Sequence, residues 1–218
     1  MSDTLTLVSA HDVSDLQTFL QRAERLGCSL TRLTVAGSFL VATVCVLEKQ
    51  GLLDTHPNVL GARVVELDSR DNEEGKSAEF LVETRAILDR LARISTRDIR
   101  TFDIPPLQPR VPWAGISPPR SNWEQCGQVS SAVLVATARA GIDEVAEANG
   151  LGSQIVTQVR RTVWSRSLAD IPLAVTGLAF AAFGLGFVVE GEDEVVRLTS
   201  QGTWIRASTA RGDVLARA

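Results

Sequence analysis

The chain has 218 residues, of which 44% are hydrophobic and 22% are charged, a balance that is typical of globular proteins and excludes wholesale disorder. Its formal net charge of -4 at pH 7 argues against a general nucleic-acid binder, because such proteins usually carry a basic excess. The length allows one large domain or two small ones, and either can bury a core.

The cysteines and the first residues bear on the cellular compartment. Cys28, Cys45 and Cys126 are odd in number, widely spaced and form no CxxC pair, which fits reduced thiols better than a secreted disulfide framework. The first eight residues contain no basic segment, and their apolar run is too short for a signal peptide. We therefore predict a cytoplasmic protein.

Hydrophobic periodicity in the first half predicts the order β-α-β-β-β-β-α. The predicted strands cover residues 4–8, 30–35, 39–47, 62–67 and 78–82, and the predicted helices cover residues 9–26 and 84–94. Ser9 and Asp12 form a capping-box pattern at the start of the first helix, and Gly27 is well placed to end it. The polar residues 68–76 are predicted to form a hairpin loop.

This order loosely resembles the repeated unit of DNA sliding clamps, in which a helix packs on an antiparallel sheet. The resemblance rests on the order of elements alone, without a shared motif. It implies a clamp-like or nucleic-acid-associated module, although fold order by itself does not establish function.

Residues 96–127 form a long proline-rich connection that includes Trp113 and Trp123. A connection of this length is usually either functional or a linker, and its tryptophans predict that it packs against the protein. We therefore predict a β-rich α+β half over residues 1–95, a packed linker over 96–127 and a helical half over 128–218. One continuous domain is the alternative.

The second half is predicted to contain three helices followed by a three-stranded β-meander. The helices cover residues 129–148, 153–164 and 172–188, and the strands cover residues 195–198, 203–208 and 214–216. Residues 171–189 carry no charge and approach the length of a membrane span, but Pro172 and the glycines in the segment favour a buried helix. The chain is thus predicted to be an α+β protein, with an antiparallel sheet and helices first and a helical half ending in the meander, and no membrane association is expected.

The sequence contains no motif for metal, nucleotide or nucleophile chemistry. His11 and His56 lie in unrelated contexts, no Cys/His cluster is present, and neither a GxSxG elbow nor a Walker A sequence occurs. We therefore predict no metal ion, no cofactor and no catalytic residue, and favour a protein that is not an enzyme.

One stretch combines aromatic and cationic side chains. Trp113, Arg120 and Trp123, together with Arg206, are candidates for a pocket that binds a carboxylate or phosphate, because a guanidinium can stack on an indole and still contact an anion. The competing interpretation is that both rings anchor the linker and that Arg120 pairs with Glu124. Further arginines are candidates for an anion site or for solvated surface positions, namely Arg160 and Arg161.

The sequence WAGISPPR at residues 113–120, followed by Trp123-Glu124, resembles a signature (WAGxSPPRxxWE) of uncharacterised proteins from high-GC actinobacteria. Residues 202–215, GTWIRASTARGDVL, are similar to the ending of those proteins. The resemblance implies no known activity, so it assigns no site residues.

Three functions remain open. The first is a non-catalytic cytoplasmic binding or assembly protein, most simply a homodimer that buries the Ala/Gly-rich helices or extends a sheet through the terminal meander. The second is an enzyme or small-molecule binder with an arginine- and tryptophan-lined pocket for an anionic ligand. The third is the clamp-like module, with nucleic-acid binding disfavoured by the net charge.

Overall fold

The computed structural model describes residues 4–49, 51, 56–68, 77–95, 99–169 and 171–217. The chain divides into two compact units, of which the first comprises Met1–Cys45 and Ala62–Ile116 and the second comprises Val46–Gly61 and Ser117–Ala218. The boundary after Ile116 falls inside the predicted linker. The assignment of residues 46–61 to the second unit has no counterpart in the sequence analysis.

The first unit contains a sheet with the strand order β5-β2-β3-β4 and a separate pair formed by β1 and β6. Its elements are β1 (Thr4–Thr6), α1 (Ala10–Arg25), β2 (Leu30–Ala36), β3 (Phe39–Leu47), β4 (Asn58–Glu66), β5 (Ser77–Glu83), α2 (Thr84–Ser95), β6 (Thr101–Asp103) and a 3-10 helix (Pro112–Gly115). The last residues of β3 and the first of β4 are counted with the second unit. Strand β2 pairs antiparallel with β3 and with β5, which confirms the predicted hairpin.

Local chemistry explains the first helix. The Ser9 hydroxyl accepts a hydrogen bond from the Asp12 amide at 3.1 Å, and the Ser9 amide donates to the Asp12 carboxylate at 3.1 Å, which completes the predicted capping box. The apolar face of α1 is buried through Val13, Leu16, Phe19, Leu20 and Ala23. Gly27 follows the helix with a φ of 86°, a conformation that glycine adopts without strain.

In the second unit the strand order is β4-β10-β9-β8-β7. Only the first residues of β4 belong to this unit. Its remaining elements are β7 (Glu124–Ser130), α3 (Ser131–Glu147), α4 (Ser153–Trp164), α5 (Thr176–Gly184), β8 (Val195–Gln201), β9 (Trp204–Thr209) and β10 (Gly212–Arg217). Antiparallel pairing of β8 with β9 and of β9 with β10 confirms the terminal meander and the α+β class.

Two predicted boundaries are wrong, and one strand lies where none is predicted. Strand β4 begins at Asn58, inside the stretch interpreted as a connector, since Pro57 can precede a strand without interrupting it. Residues 124–130 form strand β7, and α3 starts only at Ser131, after the Ser130 hydroxyl has capped it by accepting from the Val133 amide at 3.3 Å. Most of the predicted loop at residues 68–76 lies outside the described residues.

The apolar third helix is shorter than predicted. Instead of beginning at Pro172, α5 begins at Thr176, because the preceding residues form a turn in which Leu173 has a φ of 65° and the Ala174 amide donates to the Ile171 carbonyl at 3.0 Å. Among the described residues, no helix is both long and apolar enough to cross a membrane.

Candidate functional site

Two of the four predicted site residues meet in the second unit. The guanidinium carbon of Arg206, on β9, lies 4.5 Å from the ring centroid of Trp123, just before β7. The Trp123 indole N–H donates to the Pro119 carbonyl at 3.0 Å, and Arg206 Nε donates to the Thr199 hydroxyl at 3.4 Å. These bonds fix both partners of a cation–π pair.

Arg120 does not take part in that pair. Its side chain is exposed, and it forms neither a hydrogen bond nor an ion pair with any residue that the structure describes. The alternative in which Arg120 pairs with Glu124 is therefore not observed. Arg120 therefore makes no polar contact that would stabilise the described part of the fold, and its role in ligand binding stays a prediction.

Trp113 belongs to the first unit, where its side chain is only 4% exposed. It lies on the 3-10 helix, and the carbonyl of the next residue, Ala114, accepts a hydrogen bond from the buried Arg32 guanidinium at 3.1 Å. Burial lowers the pKa of Arg32, while the Glu79 carboxylate acts in the opposite direction. Trp113 has the burial expected of an anchor.

A cavity of about 340 Å³ lies wholly within the second unit, and its lining residues are far apart in the sequence. Its lining consists of Val46, Leu47, Glu48, His56, Thr157, Arg160, Arg161 and Trp164. The His56 ring is 6% exposed and its Nδ1 donates to the Pro57 carbonyl at 2.8 Å, which fixes the ring orientation. Burial raises the pKa of Glu48.

The first unit has its own cavity, of about 490 Å³, at the end of α1 and the start of α2. Cys28 lines it, but its thiol donates to the Cys45 carbonyl at 3.2 Å, and burial raises its pKa to about 12. A thiol with so high a pKa holds little thiolate at neutral pH and is a poor nucleophile. Arg85, also in the lining, is held by ion pairs with Glu24 and Asp89 at 3.5 and 3.2 Å.

Sequence reasoning missed several of these residues. His56 has no potential metal ligand near it in the sequence. Glu48, Thr157 and Trp164 belong to no sequence motif that would mark them as site residues. Arg32 did leave one, since it is a charged residue inside an otherwise apolar and β-branched strand. In the part of the chain that the structure describes, no three His, Cys, Asp or Glu side chains are grouped so as to hold a metal ion.

Comparison with known proteins adds a family region and a fold. A family model described as "Domain of unknown function (DUF8185)" matches residues 118–218. No curated protein matches the sequence significantly. Among solved structures, the DNA polymerase III subunit beta from Borrelia burgdorferi, in complex with a natural product, is 7% identical, with a TM-score of 0.53 over 99% of this chain and 64% of that one.

The DnaN sliding clamp (DNA polymerase III subunit beta) from Bartonella birtlesii, bound to griselimycin, is 12% identical, with a TM-score of 0.50 over 98% of this chain. The fold resembles that of a sliding clamp. The similarity of element order noted in the first half is thereby confirmed at the level of fold. The chain spans 64% of the length of these clamp subunits, and the low identities carry the likeness no further than architecture.

Proposed function

We propose that this protein is a non-catalytic cytoplasmic assembly protein, which uses its clamp-like fold to bind a second copy of itself. The observation that carries the proposal is the open edge of the sheet in the second unit. The fold likeness supports it, because the structures it resembles include a protein named a sliding clamp.

Strand β7 is the last strand of the order in the second unit and pairs with β8 alone. Among the described residues no strand covers its other side, so its outward N–H and C=O groups are a template for pairing. The register shift between Gln125 and Gly127 divides β7 into residues 124–125 and 127–130, and we expect pairing with a second copy to use both parts. The terminal meander cannot serve this purpose, because β4 and β7 flank it.

The sheet edge in the first unit is a weaker candidate. Strand β5 is bridged on its outer side at Val82 by Leu107, and the Gln108 amide donates to the Leu81 carbonyl at 2.8 Å. These contacts occupy part of the edge and hinder the approach of another strand. Of these two sheet edges, the edge at β7 is therefore the more open.

The test is the mass in solution of the full chain, measured by size-exclusion chromatography with light scattering. We expect a dimer for the wild type and a monomer for the double variant Gln125→Lys/Gln128→Lys, because lysines on an edge strand oppose pairing. The control Gln154→Lys/Gln158→Lys makes the same change of charge on the exposed face of α4 and should stay dimeric. A monomeric wild type at high concentration would refute the proposal, and so would an unchanged dimer in the β7 variant.

A DNA-associated role is the second candidate, favoured by the likeness to DNA polymerase III subunits. Charge opposes it, since the chain carries 22 basic and 26 acidic residues, a net charge of -4 that gives little attraction to phosphates. Fluorescence anisotropy with a labelled duplex between 50 and 200 mM salt distinguishes the two. Saturable binding that weakens steeply with salt would favour the DNA role over the assembly role.

An anion-binding role for Trp123 and Arg206, with Arg120 beside them in sequence, is the remaining alternative. The stacked guanidinium in the structure is the observation that favours it. Because Arg120 is exposed and supports no contact in the fold, Arg120→Ala should leave the melting temperature unchanged. A loss of anion binding in that variant would support the role, and anion binding that persists in it would remove Arg120 from the site.

A further inference from the structure

The lining of the cavity in the second unit includes one tightly packed aromatic ring, that of Trp164. The Trp164 ring, only 2% exposed, stacks on Phe180 with a centroid separation of 4.5 Å and an interplanar angle of 25°. Gly141 of α3 lies so close to the edge of the indole, at Cζ3 and Cη2, that the ring cannot move toward that helix. A ring that is locked by packing gives the cavity one rigid surface beside its polar groups.

Helix α4 also contributes Thr157, Arg160 and Arg161 to the lining. Arg160 is exposed and forms no ion pair or hydrogen bond with any residue in the described ranges. The Thr157 hydroxyl donates its proton to the Ser153 carbonyl at 2.8 Å, so its oxygen can act toward another group only as an acceptor. Helix α4 therefore contributes two cations and one acceptor to the lining.

The other polar lining residues, Glu48 and His56, lie just after β3 and just before β4. Glu48 supplies a carboxylate with several lone pairs, and His56 is held in place by its bond to Pro57. Two guanidiniums suit a phosphate group, whereas a carboxylate and a hydroxyl oxygen suit the O–H groups of a polyol. The volume of about 340 Å³ is within the range of small-molecule sites.

We propose that this cavity binds a small phosphorylated polyol. Arg160 and Arg161 hold its phosphate, and Glu48 and Thr157 accept hydrogen bonds from its hydroxyl groups. The site is separate from the Trp123–Arg206 pair and from strand β7. It can therefore stand or fall independently of self-association.

Tryptophan indole signals provide a direct test. The chain has four tryptophans, so the ¹⁵N–¹H spectrum of the full-length protein contains four indole signals that single Trp→Phe substitutions can assign. Titration with ribose 5-phosphate should shift the Trp164 signal in a saturable manner and leave the Trp123 signal in place. Ribose should cause no shift, and inorganic phosphate should bind more weakly than the phosphorylated sugar.

Substitutions of lining residues then test the roles proposed for Arg160, Arg161 and Thr157. Arg160→Gln and Arg161→Gln should each raise the Kd for ribose 5-phosphate by about tenfold, the usual effect of losing a charged hydrogen bond. Arg197→Gln removes the same charge from an exposed position on β8 of the same unit and should bind like the wild type. Thr157→Val should weaken binding of ribose 5-phosphate but not of inorganic phosphate.

Four results would overturn the inference. They are a Trp164 signal that does not respond, a shift confined to Trp123, an equal response to ribose, and wild-type binding in both arginine variants. A response confined to Trp123 would instead place the anion at the Arg206 stack. Circular dichroism spectra that match the wild type would show that the variants are folded.

Discussion

Gly141 in α3 offers the sharpest test of packing in the second unit. A Cβ at this position would lie 2.5 Å from Cη2 of Trp164 and 2.9 Å from Cγ1 of Val163, and it would lie closer still to Trp164 Cζ3. Real Cβ contacts essentially never fall below 3.0 Å. The ring cannot swing away, because it is stacked on Phe180 and is 2% exposed.

Two opposing terms set the magnitude for Gly141→Ala. On an exposed helix the change would stabilise the protein by about 1 kcal/mol, because alanine has the higher helix propensity. Overpacking a rigid core costs about 1–3 kcal/mol, and three close atoms place this site near the upper end. The net expectation is a loss of about 2 kcal/mol, or a melting temperature lower by roughly 4–8 °C for a chain of 218 residues.

Urea unfolding, followed by tryptophan fluorescence and circular dichroism, measures the loss. Ala140→Gly, at the exposed neighbouring position, should cost about 1 kcal/mol from propensity alone. In the double variant Gly141→Ala/Trp164→Leu, the smaller side chain makes room for the methyl group. The combined loss should therefore be less than the sum of the two single losses. A Gly141→Ala protein as stable as the wild type, or more stable, would refute the packing argument.

Three further changes test separate features. Ser9→Ala removes the cap of α1 and should cost about 1 kcal/mol in urea unfolding, whereas Ser9→Asn should restore most of it. Cys28→Ser should not change the number of thiols that react with a disulfide reagent in the native protein at pH 8, because burial raises the pKa of Cys28 to about 12; a lower number would contradict this. The hydrogen bond from Arg166 lowers the pKa of Glu144. The stability that this pair contributes is therefore fully present at pH values above the ordinary glutamate pKa of 4.5, and it is lost as the pH falls through the lowered pKa. Glu144→Gln should therefore lower the melting temperature at pH 7 but not at strongly acidic pH, and an equal difference at both would contradict the assignment.

Local signals in the sequence were sufficient for the elements that depend on neighbouring residues. The Ser9 cap, the Gly27 stop and the hairpin across Gly37 were predicted because their causes lie within a few residues of each element. Strand β7 was missed for the opposite reason. Its sequence, EQCGQVS, has little β propensity, and it forms a strand through its pairing with β8, some seventy residues later.

The candidate site divides in the same way. The sequence nominated Trp123, Arg206, Arg160 and Arg161 from their side-chain chemistry, but not which residues they meet. Trp123 reaches Arg206 only because β7, β8 and β9 are neighbours in the sheet. The cavity joins α4 to His56, about a hundred residues earlier, and no periodicity in one sequence reports such a distance.

The second unit is discontinuous along the chain, and this affects how it can fold. The matched family region covers residues 118–218, yet the unit also includes residues 46–61. Within that range, Asn58 begins β4 beside β10, and Val46, Leu47, Glu48 and His56 line the cavity. During synthesis those earlier residues emerge first and must wait for their partners, which makes closure of this sheet a late, long-range step. A protein cut down to residues 118–218 would expose the flank of β10, and we expect it to aggregate or to seek another strand in place of β4.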